Sequence, residues 1–230
     1  MIERASPNLL MIAARAPIAG ETKTRLGKAI GMERAAVLYE AFLRDLAARL
    51  TGDGVGYDVG WTYSPPEIDF RPWLARIGAT PGPGVHLIPQ LGPDWGARQD
   101  YLLNWGHEHG YARSVLIASD SPQLERAVVE HAFAALETHD VALGRVRDGG
   151  YYLIGLAGYC EVLHAVPMST SSAADALVAR VAALGRTLIE LPATFDIDEV
   201  DDLAHLRKAL SPDGGDCPAT WKALRRLGLW

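Results

Sequence analysis

The chain has few cysteines and no long apolar run. Its two cysteines, Cys160 and Cys217, lack C-x-x-C spacing and have no histidine at metal-ligand spacing nearby, so neither a zinc site nor a disulfide framework is indicated. The early apolar stretch at residues 9–14 is too short to span a membrane, and residues 1–4 show no signal-peptide pattern. We therefore expect a cytoplasmic protein with no membrane partner.

A surplus of positive charge is also missing. Lys and Arg number 22 against 28 Asp and Glu, which gives a formal net charge of -6. Because such a protein repels nucleic acid, we expect no nucleic-acid partner and only local affinity for phosphate. The sequence has no G-x-G-x-x-G motif after its first apolar run, and its seven histidines fall in no Ser or Cys triad motif. These absences argue against a dinucleotide-binding dehydrogenase and against catalysis by a nucleophile and base pair.

Apolar strands and amphipathic helices alternate along the chain. The 230 residues, 49% of them hydrophobic and 22% charged, suit one globular domain over residues 1–230. We expect its core at about residues 8–210 and a helical tail at 216–230. The patterns predict strands at 9–14, 55–63, 85–89, 114–118, 140–144, 151–156 and 187–191, and helices at 32–50, 70–77, 95–109, 123–137 and 171–184. This alternation predicts an α/β fold with a mainly parallel sheet between helices on both faces.

A cluster of positive charge follows the first predicted strand. Three cations, Arg15, Lys23 and Arg25, lie within eleven residues, together with two threonines and a flexible glycine. The loop lies at the carboxyl end of a strand, where open α/β sheets bind their ligands. This composition suits a nucleotide diphosphate or triphosphate. The alternative is an ordinary solvated loop, since the segment does not match the formal phosphate-loop pattern.

An aspartate, Asp120, follows the apolar run at 114–118 and precedes Pro122. Its carboxylate is expected at the same sheet edge as the basic loop, and Mg²⁺ prefers one or two such carboxylates together with substrate phosphates. The alternative is a helix N-cap, with Asp120 or Ser121 capping a helix that has Pro122 in its first turn.

Three further segments carry polar groups. Residues 148–152, preceded by Arg145 and Arg147, combine two glycines with two tyrosines and suit close contact with a ligand, although a hairpin turn explains them too. The hydroxyl-rich segment 168–172 is predicted to begin a helix, where free amides attract anions or are capped. In segment 195–203 we predict that Asp198 caps a helix, and Asp196 is the one candidate for a second metal ligand.

Five motifs occur in one order along the chain. They are Arg15-Ala16-Pro17 with Gly20 and Lys23-Thr24-Arg25-Leu26; Gln90-Leu91-Gly92 with Trp95-Gly96-Ala97-Arg98; Ser119-Asp120-Ser121-Pro122; Asp148-Gly149-Gly150-Tyr151-Tyr152-Leu153-Ile154-Gly155-Leu156; and Phe195-Asp196-Ile197-Asp198. From about residue 9 to 206, the chain resembles the DUF2064 family of GT-A-type transferases, often labelled arsenosugar-biosynthesis glycosyltransferases or radical-SAM/selenodomain-associated transferases. That family is similar in turn to the phospholactate and phosphoenolpyruvate guanylyltransferases, which share the Lys-Thr-Arg-Leu segment, and more distantly to molybdopterin guanylyltransferases.

The resemblance implies a nucleotide-diphospho-sugar transferase fold (GT-A, Rossmann-like) and a metal-dependent transferase. Lys23, Arg25 and Asp120 are then the expected catalytic residues, with Mg²⁺ or Mn²⁺ on Asp120 and Asp196. The expected donor contacts are Ala14, Arg15, Ala16, Pro17, Gly20, Thr22, Lys23, Thr24, Arg25, Gln90, Gly92, Arg98 and Ser119. The expected acceptor contacts are Asp148, Gly149, Gly150, Tyr151, Tyr152, Ser169 and Thr170. The chain departs from the family at Met168, usually Trp, and at Trp95, usually aliphatic, and both departures concern the acceptor.

Two reactions are compatible with this resemblance. The first is glycosyl transfer from an NDP-sugar to a small acceptor, the reaction that the family labels suggest. The second is nucleotidyl transfer from an NTP to a phosphorylated small acceptor with release of pyrophosphate, favoured because Ser119-Asp120-Ser121 lacks the Asp-x-Asp spacing common in sugar transferases. A third class is a nucleotide-binding protein without activity. The expected partners are a nucleotide or nucleotide-sugar donor and a small-molecule acceptor, and a homodimer is compatible with the sequence.

Overall fold

The computed structural model describes residues 4–52 and 54–230. Within them the chain forms seven strands and eight helices. In order these are β1 (Asn8–Arg15), α1 (Thr24–Ile30), α2 (Met32–Leu50), β2 (Asp58–Ser64), α3 (Arg71–Ile77), β3 (Val85–Pro89), α4 (Trp95–Glu108), β4 (Arg113–Ala118), α5 (Arg126–Ala135), β5 (Val141–Val146), β6 (Tyr151–Ala157), α6 (Ala173–Ala183), β7 (Leu188–Thr194), α7 (Asp202–Leu210) and α8 (Pro218–Arg226). In the part of the chain so described, no helix is long and apolar enough to cross a membrane.

The strands form one sheet in the order β3-β2-β1-β4-β6-β5-β7. Neighbouring strands are parallel except at β6, which runs antiparallel to both β4 and β5. The predicted α/β fold with a mainly parallel sheet is therefore confirmed. A parallel sheet with covered faces requires strands that are apolar on both sides, which explains the unbroken apolar run of β1.

The sheet separates two hydrophobic cores. Alternate residues of β1 enter them: Leu10 and Ile12 pack with α2, α5, α7 and α8, whereas Leu9 and Met11 pack with α4 and α6. The first core extends to Leu229, so the C-terminal helix α8 packs on the body of the protein rather than standing apart. The assignment of all 230 residues to one domain stays a prediction.

The strand register places two loops at the same sheet edge. β1 and β4 are parallel neighbours, and Ala13 lies opposite Ala118. The basic loop therefore leaves the sheet beside the segment that contains Asp120. This adjacency follows from the strand order, which places the first strand next to the fourth.

The structure corrects three local predictions. A short helix, α1, begins at Thr24 inside the predicted loop and ends at Ile30, because the next residue, Gly31, has a backbone φ of 96° that prevents continuation into α2. Helix α5 begins at Arg126 with Glu125 at its N-cap, so Asp120 does not cap it. Helix α7 begins at Asp202, and the carboxylate of Asp202 accepts the N–H groups of the two residues after Ile197. The predicted N-cap role of Asp198 is therefore wrong.

Candidate active site

Two pockets adjoin at the carboxyl edge of β1 and β4. The first has a volume of about 350 Å³ and the second about 500 Å³. Five residues line both pockets: Arg25, Trp95, Ala118, Asp120 and Asp198. Molecules bound in the two pockets would therefore lie on either side of a wall that carries two carboxylates and a guanidinium group.

Lys23 forms the ionic centre of the first pocket. Its ammonium group lies 2.5 Å from Asp120 Oδ1 and 2.8 Å from Asp198 Oδ1, and its side chain is only 5% exposed. The backbone of Lys23 has a φ of 51° and lies in the left-handed region, immediately before α1. Left-handed backbone is uncommon for a residue with a side chain and is concentrated at functional sites.

The charges at this centre stabilise one another. Burial alone lowers the pKa of Lys23, but the adjacent Asp120 and Asp198 carboxylates outweigh burial and raise it above its usual range. Burial would raise the pKa of Asp198, yet the contact with Lys23 holds it below its usual range. Lys23 is thus a cation, and Asp198 is a carboxylate, across the physiological pH range.

A chain of hydroxyl groups fixes the floor of the first pocket. The Arg15 backbone N–H donates to the Tyr39 hydroxyl at 3.0 Å, and that hydroxyl lies 2.7 Å from Ser119 Oγ. Ser119 Oγ donates in turn to the Ala13 carbonyl oxygen at 2.6 Å. Because Ser119 uses its proton there, Tyr39 must donate to Ser119. Burial, with the nearby charge of Asp120, raises the pKa of Tyr39 to about 12, so this hydroxyl keeps its proton.

Carboxylates accumulate in the second pocket. Asp120, Asp148, Asp196 and Asp198 all line it. Burial, followed by the charges of Asp198, Asp148 and Asp120, raises the pKa of Asp196 to about 6. In the described residues, no group of three or more His, Cys, Asp and Glu side chains is arranged as a metal site. The raised pKa nevertheless marks a place where a bound cation would relieve repulsion.

One comparison matches part of the chain to a known sequence family. Residues 69–170 match the model of "Uncharacterized protein conserved in bacteria (DUF2064)". The resemblance drawn from the motifs is confirmed. The DUF2064 segment includes Asp120 and the acceptor-side residues 148–170, whereas the basic loop and Asp196 lie outside it.

Relatives of the chain are nucleotidyl and nucleotide-sugar transferases. A 3-phospho-D-glycerate guanylyltransferase of Phenylobacterium zucineum (strain HLK1) is 29% identical over 216 residues, covering 87% of this chain and 93% of the relative. A crystal structure of a candidate nucleotide-diphospho-sugar transferase from Desulfovibrio desulfuricans G20 has a TM-score of 0.84 at 27% identity and covers 96% of each chain. A cytidylyltransferase from Leptospira borgpetersenii serovar Hardjo-bovis (strain JB197) shares the fold, with a TM-score of 0.56, 13% identity, and coverage of 97% of this chain and 94% of that chain. The predicted nucleotide-diphospho-sugar transferase fold and transferase class are confirmed.

Most of the predicted donor residues surround the first pocket. Those that line it are Arg15, Thr22, Lys23, Thr24, Arg25, Gln90, Arg98 and Ser119. Three of them use their side chains within the protein: Thr22 donates to the Ala16 carbonyl, Ser119 to Ala13, and the amide of Gln90 to two carbonyls and the Thr62 hydroxyl. These groups shape the pocket rather than offering free donors, and their contact with a donor stays a prediction.

The other predicted donor residues do not line the first pocket. They are Ala14, Ala16, Pro17, Gly20 and Gly92. The side chains of Ala14 and Ala16 are buried in the hydrophobic core. Gly92, with a φ of 142°, lies against the start of α4, where an added Cβ would come within 2.9 Å of the Arg98 nitrogen. Ala14, Ala16 and Gly92 allow tight packing, which local sequence cannot distinguish from contact with a ligand. Gly20 has open space around it and a positive φ of 83°.

The predicted acceptor residues lie around the second pocket, with one exception. Asp148, Gly150, Tyr151, Tyr152, Ser169 and Thr170 line it. Gly149 instead packs on the backbone before α6, because a Cβ there would be 1.9 Å from the Ser171 carbonyl oxygen. The 148–150 segment is also the turn between β5 and β6, with Gly150 N–H donating to Asp148 Oδ1 at 3.0 Å. The two interpretations of this segment, a hairpin turn and a ligand-binding site, are thus compatible.

Arg145 does not support the site as the sequence suggested. Its guanidinium group binds Glu190 and Asp175 on the protein surface, at 2.9 and 2.7 Å. Sequence reasoning also missed two residues. Tyr39 lines the first pocket from α2, where its spacing indicated only a core position. Asp198 was assigned to a helix cap, although its presence in the Phe195-Asp196-Ile197-Asp198 motif was a signal for a role in the site.

Proposed function

We propose that this chain is a nucleotidyltransferase, which joins an NTP to a phosphorylated small acceptor and releases pyrophosphate. The observation that carries the proposal is the buried ammonium group of Lys23 in the first pocket, in contact with both carboxylates of the wall between the two pockets. Four cationic side chains line the first pocket: Arg15, Lys23, Arg25 and Arg98. The relationship to a guanylyltransferase over 87% of the chain supports the same reaction.

The first pocket suits the triphosphate of the donor. Guanidinium and ammonium groups form charge-assisted hydrogen bonds with phosphate oxygens, and Arg can contact two oxygens at once. The proposed reaction forms a bond from an acceptor phosphate oxygen to the α-phosphorus and breaks the bond to the β-phosphate oxygen. Negative charge then grows on the leaving pyrophosphate. Lys23 and Arg25 stabilise that charge, so the reaction requires no covalent intermediate on the protein.

The second pocket suits a small polar acceptor. It combines Tyr151, Ser169 and Thr170 with the exposed guanidinium of Arg25 at the shared wall. Ser169 and Arg25 are able to donate hydrogen bonds to a phosphate or carboxylate, and Trp95 supplies an apolar wall. The hydroxyls of Tyr151 and Thr170 already donate to Met168 Sδ and to the Pro167 carbonyl, so they shape the pocket. The pocket volume of about 500 Å³ limits the acceptor to a small molecule.

A divalent cation fits the carboxylates of this site. Asp120 and Asp196 would hold Mg²⁺ or Mn²⁺, with Asp198 beside them, because carboxylate oxygens are the donors that these ions prefer. The pKa of about 6 at Asp196 supports this assignment, since the excess negative charge there would be relieved by a cation. When bound, such an ion neutralises charge on the donor phosphates.

Glycosyl transfer from an NDP-sugar is the second candidate reaction. The observation that favours it is the TM-score of 0.84 to the Desulfovibrio structure, which is named for that class of enzyme. Both reactions use the same phosphate pocket and differ in which bond to the donor breaks. Nucleotidyl transfer is preferred because the site presents Asp120 between two serines, without a second carboxylate two residues away.

The released product distinguishes the two reactions. The protein is incubated with each of the four NTPs and a panel of phosphorylated hydroxy acids that includes 3-phospho-D-glycerate, in the presence of Mg²⁺ or Mn²⁺. Pyrophosphate release that depends on the acceptor supports nucleotidyl transfer. NDP release from an NDP-sugar without pyrophosphate from any NTP would refute it and support glycosyl transfer.

A pair of variants tests the role of the site in turnover. Asp120→Asn should reduce turnover by about a hundredfold or more, because it removes a carboxylate proposed to hold the metal ion at the donor phosphates. Asp201→Asn is the matched control, since it changes an exposed aspartate outside both pockets. Equal activity in Asp120→Asn and Asp201→Asn would contradict the proposed role of Asp120.

A further inference from the structure

The ammonium group of Lys23 contacts Asp120, which the proposed function assigns to a metal, and Asp198, which lies beside that site. It contacts one oxygen of Asp120 and one of Asp198 at ion-pair distance. A divalent cation bound by these carboxylates would need the same region of space, and two cations at such short range repel strongly in a partly buried site. The ammonium group and a metal ion therefore compete for this pair.

The position of Lys23 gives its side chain an alternative partner. Its backbone is fixed, because the carbonyl accepts the Gly27 N–H at 2.7 Å at the start of α1. The four-carbon side chain lines the first pocket together with Thr24 and Arg98, where the donor phosphates are proposed to bind. Rotation of the side chain alone would bring the ammonium group to a phosphate oxygen.

We propose that Lys23 is the resident cation of the Asp120–Asp198 pair, and that binding of a triphosphate removes it and opens this pair to a divalent metal. The inference rests on the proposed function for the position of phosphates and metal. It predicts that nucleotide and metal bind cooperatively. In the free protein Lys23 blocks the metal, and with the nucleotide bound the same ammonium group stabilises the phosphates instead.

Metal affinity in the absence of nucleotide tests the inference. Binding of Mn²⁺ to the full chain is measured by electron paramagnetic resonance of free Mn²⁺. Lys23→Met should lower the dissociation constant for Mn²⁺ by about tenfold or more, because it removes a competing unit charge in direct contact with both carboxylates. Lys23→Arg, which keeps the charge, should bind Mn²⁺ as weakly as the unmodified protein.

The matched control is Arg25→Met. Arg25 is also a cation near Asp198, at 3.7 Å, but its side chain is 65% exposed. If general loss of positive charge caused the effect, Arg25→Met would change Mn²⁺ affinity as much as Lys23→Met. We expect a change of less than about threefold for Arg25→Met, since water screens an exposed charge. Equal effects of the two variants, or no effect of Lys23→Met, would overturn the inference.

A crystallographic measurement covers the case in which Lys23→Met does not fold. Crystals of the unmodified protein are soaked in MnCl₂, and anomalous scattering locates the ion. Mn²⁺ bound to Asp120 and Asp198 with Lys23 still in contact with both would overturn the inference. Mn²⁺ bound there only with Lys23 displaced, or only when inorganic tripolyphosphate is present, supports it. These outcomes are independent of the pyrophosphate assay. A failure of the proposed replacement of Lys23 by a metal ion is therefore distinguishable from a failure of the proposed reaction.

Discussion

Replacing Asp196 by Asn should stabilise the protein at neutral pH. Burial and three neighbouring carboxylates raise the pKa of Asp196 from its ordinary value of 3.8 to about 6. The native state therefore binds this proton more tightly than the unfolded chain, and ionisation between about pH 4 and pH 6 destabilises the native state. Asn has nearly the same shape and no charge, so Asp196→Asn removes this destabilisation above pH 6.

The magnitude follows from the size of the pKa change. A difference between 3.8 and about 6 corresponds to at most about 3 kcal/mol at pH 7. Because Asp196 is only partly buried, solvent screening reduces the expected gain to about 1 kcal/mol. Below pH 4 the carboxyl group is protonated in both states, and the gain should disappear.

Urea unfolding at pH 4 and pH 7.5 measures this difference. The control is Glu67→Gln, an exposed carboxylate outside both pockets, which should change stability by less than about 0.5 kcal/mol at either pH. Adding MnCl₂ together with inorganic tripolyphosphate at pH 7.5 should reverse the order, because a metal held by Asp196 stabilises the unmodified protein. A gain that is equal at both pH values, or Asp196→Asn less stable than the unmodified protein at pH 7.5 without metal, would refute the reasoning.

Three further substitutions test the scaffold of the site. Tyr39→Phe deprives the Arg15 N–H of its acceptor and should cost about 2 kcal/mol in urea unfolding; a cost below about 0.5 kcal/mol would contradict the hydroxyl chain. Asp45→Ala removes the carboxylate that accepts the first two N–H groups of α8 and should lower the free energy of unfolding by about 1–3 kcal/mol, with an unchanged melting temperature as the contrary result. Gly149→Ala places a Cβ against the Ser171 carbonyl at a φ of 93° and should destabilise by more than about 1 kcal/mol in thermal unfolding, whereas unaltered stability would show that the turn can rearrange.

Much of the fold was predictable because its signals are local. The apolar run of β4 and the helical period of α2 (Met32–Leu50) fix those elements without reference to the rest of the chain. Helix α1 was missed because Gly27 and Gly31 interrupt its apolar pattern. Gly27 is there for packing, since a Cβ at that position would lie 2.5 Å from Met32 Sδ. In the sequence, a glycine that is needed because a neighbouring side chain packs closely against it cannot be distinguished from a glycine in a loop.

The ionic centre of the site was only partly predictable. The sequence predicted that Lys23 and Asp120 would meet, because both follow strands whose carboxyl ends share an edge. The contact between Lys23 and Asp198 joins residues 175 positions apart, and an acid before a helix equally fits a cap. In the structure Asp201 is the N-cap residue of α7, and Asp198 contacts Lys23. Whether an acidic residue caps a helix or pairs with a distant lysine depends on the tertiary structure. The local sequence pattern does not contain that information.

The two departures from the family pattern meet in one place. Trp95 and Met168 both line the second pocket, and a Cβ built on Gly96, the residue after Trp95, would lie 3.2 Å from Met168 Cγ. Trp95 and the flexible thioether of Met168 thus lie on adjoining parts of this pocket. Because Tyr151 also donates to Met168 Sδ at 3.3 Å, the departure at position 168 changes the wall that an acceptor would contact. Because Trp95 lines the first pocket as well, these two differences alter the wall between the pockets together with the second pocket.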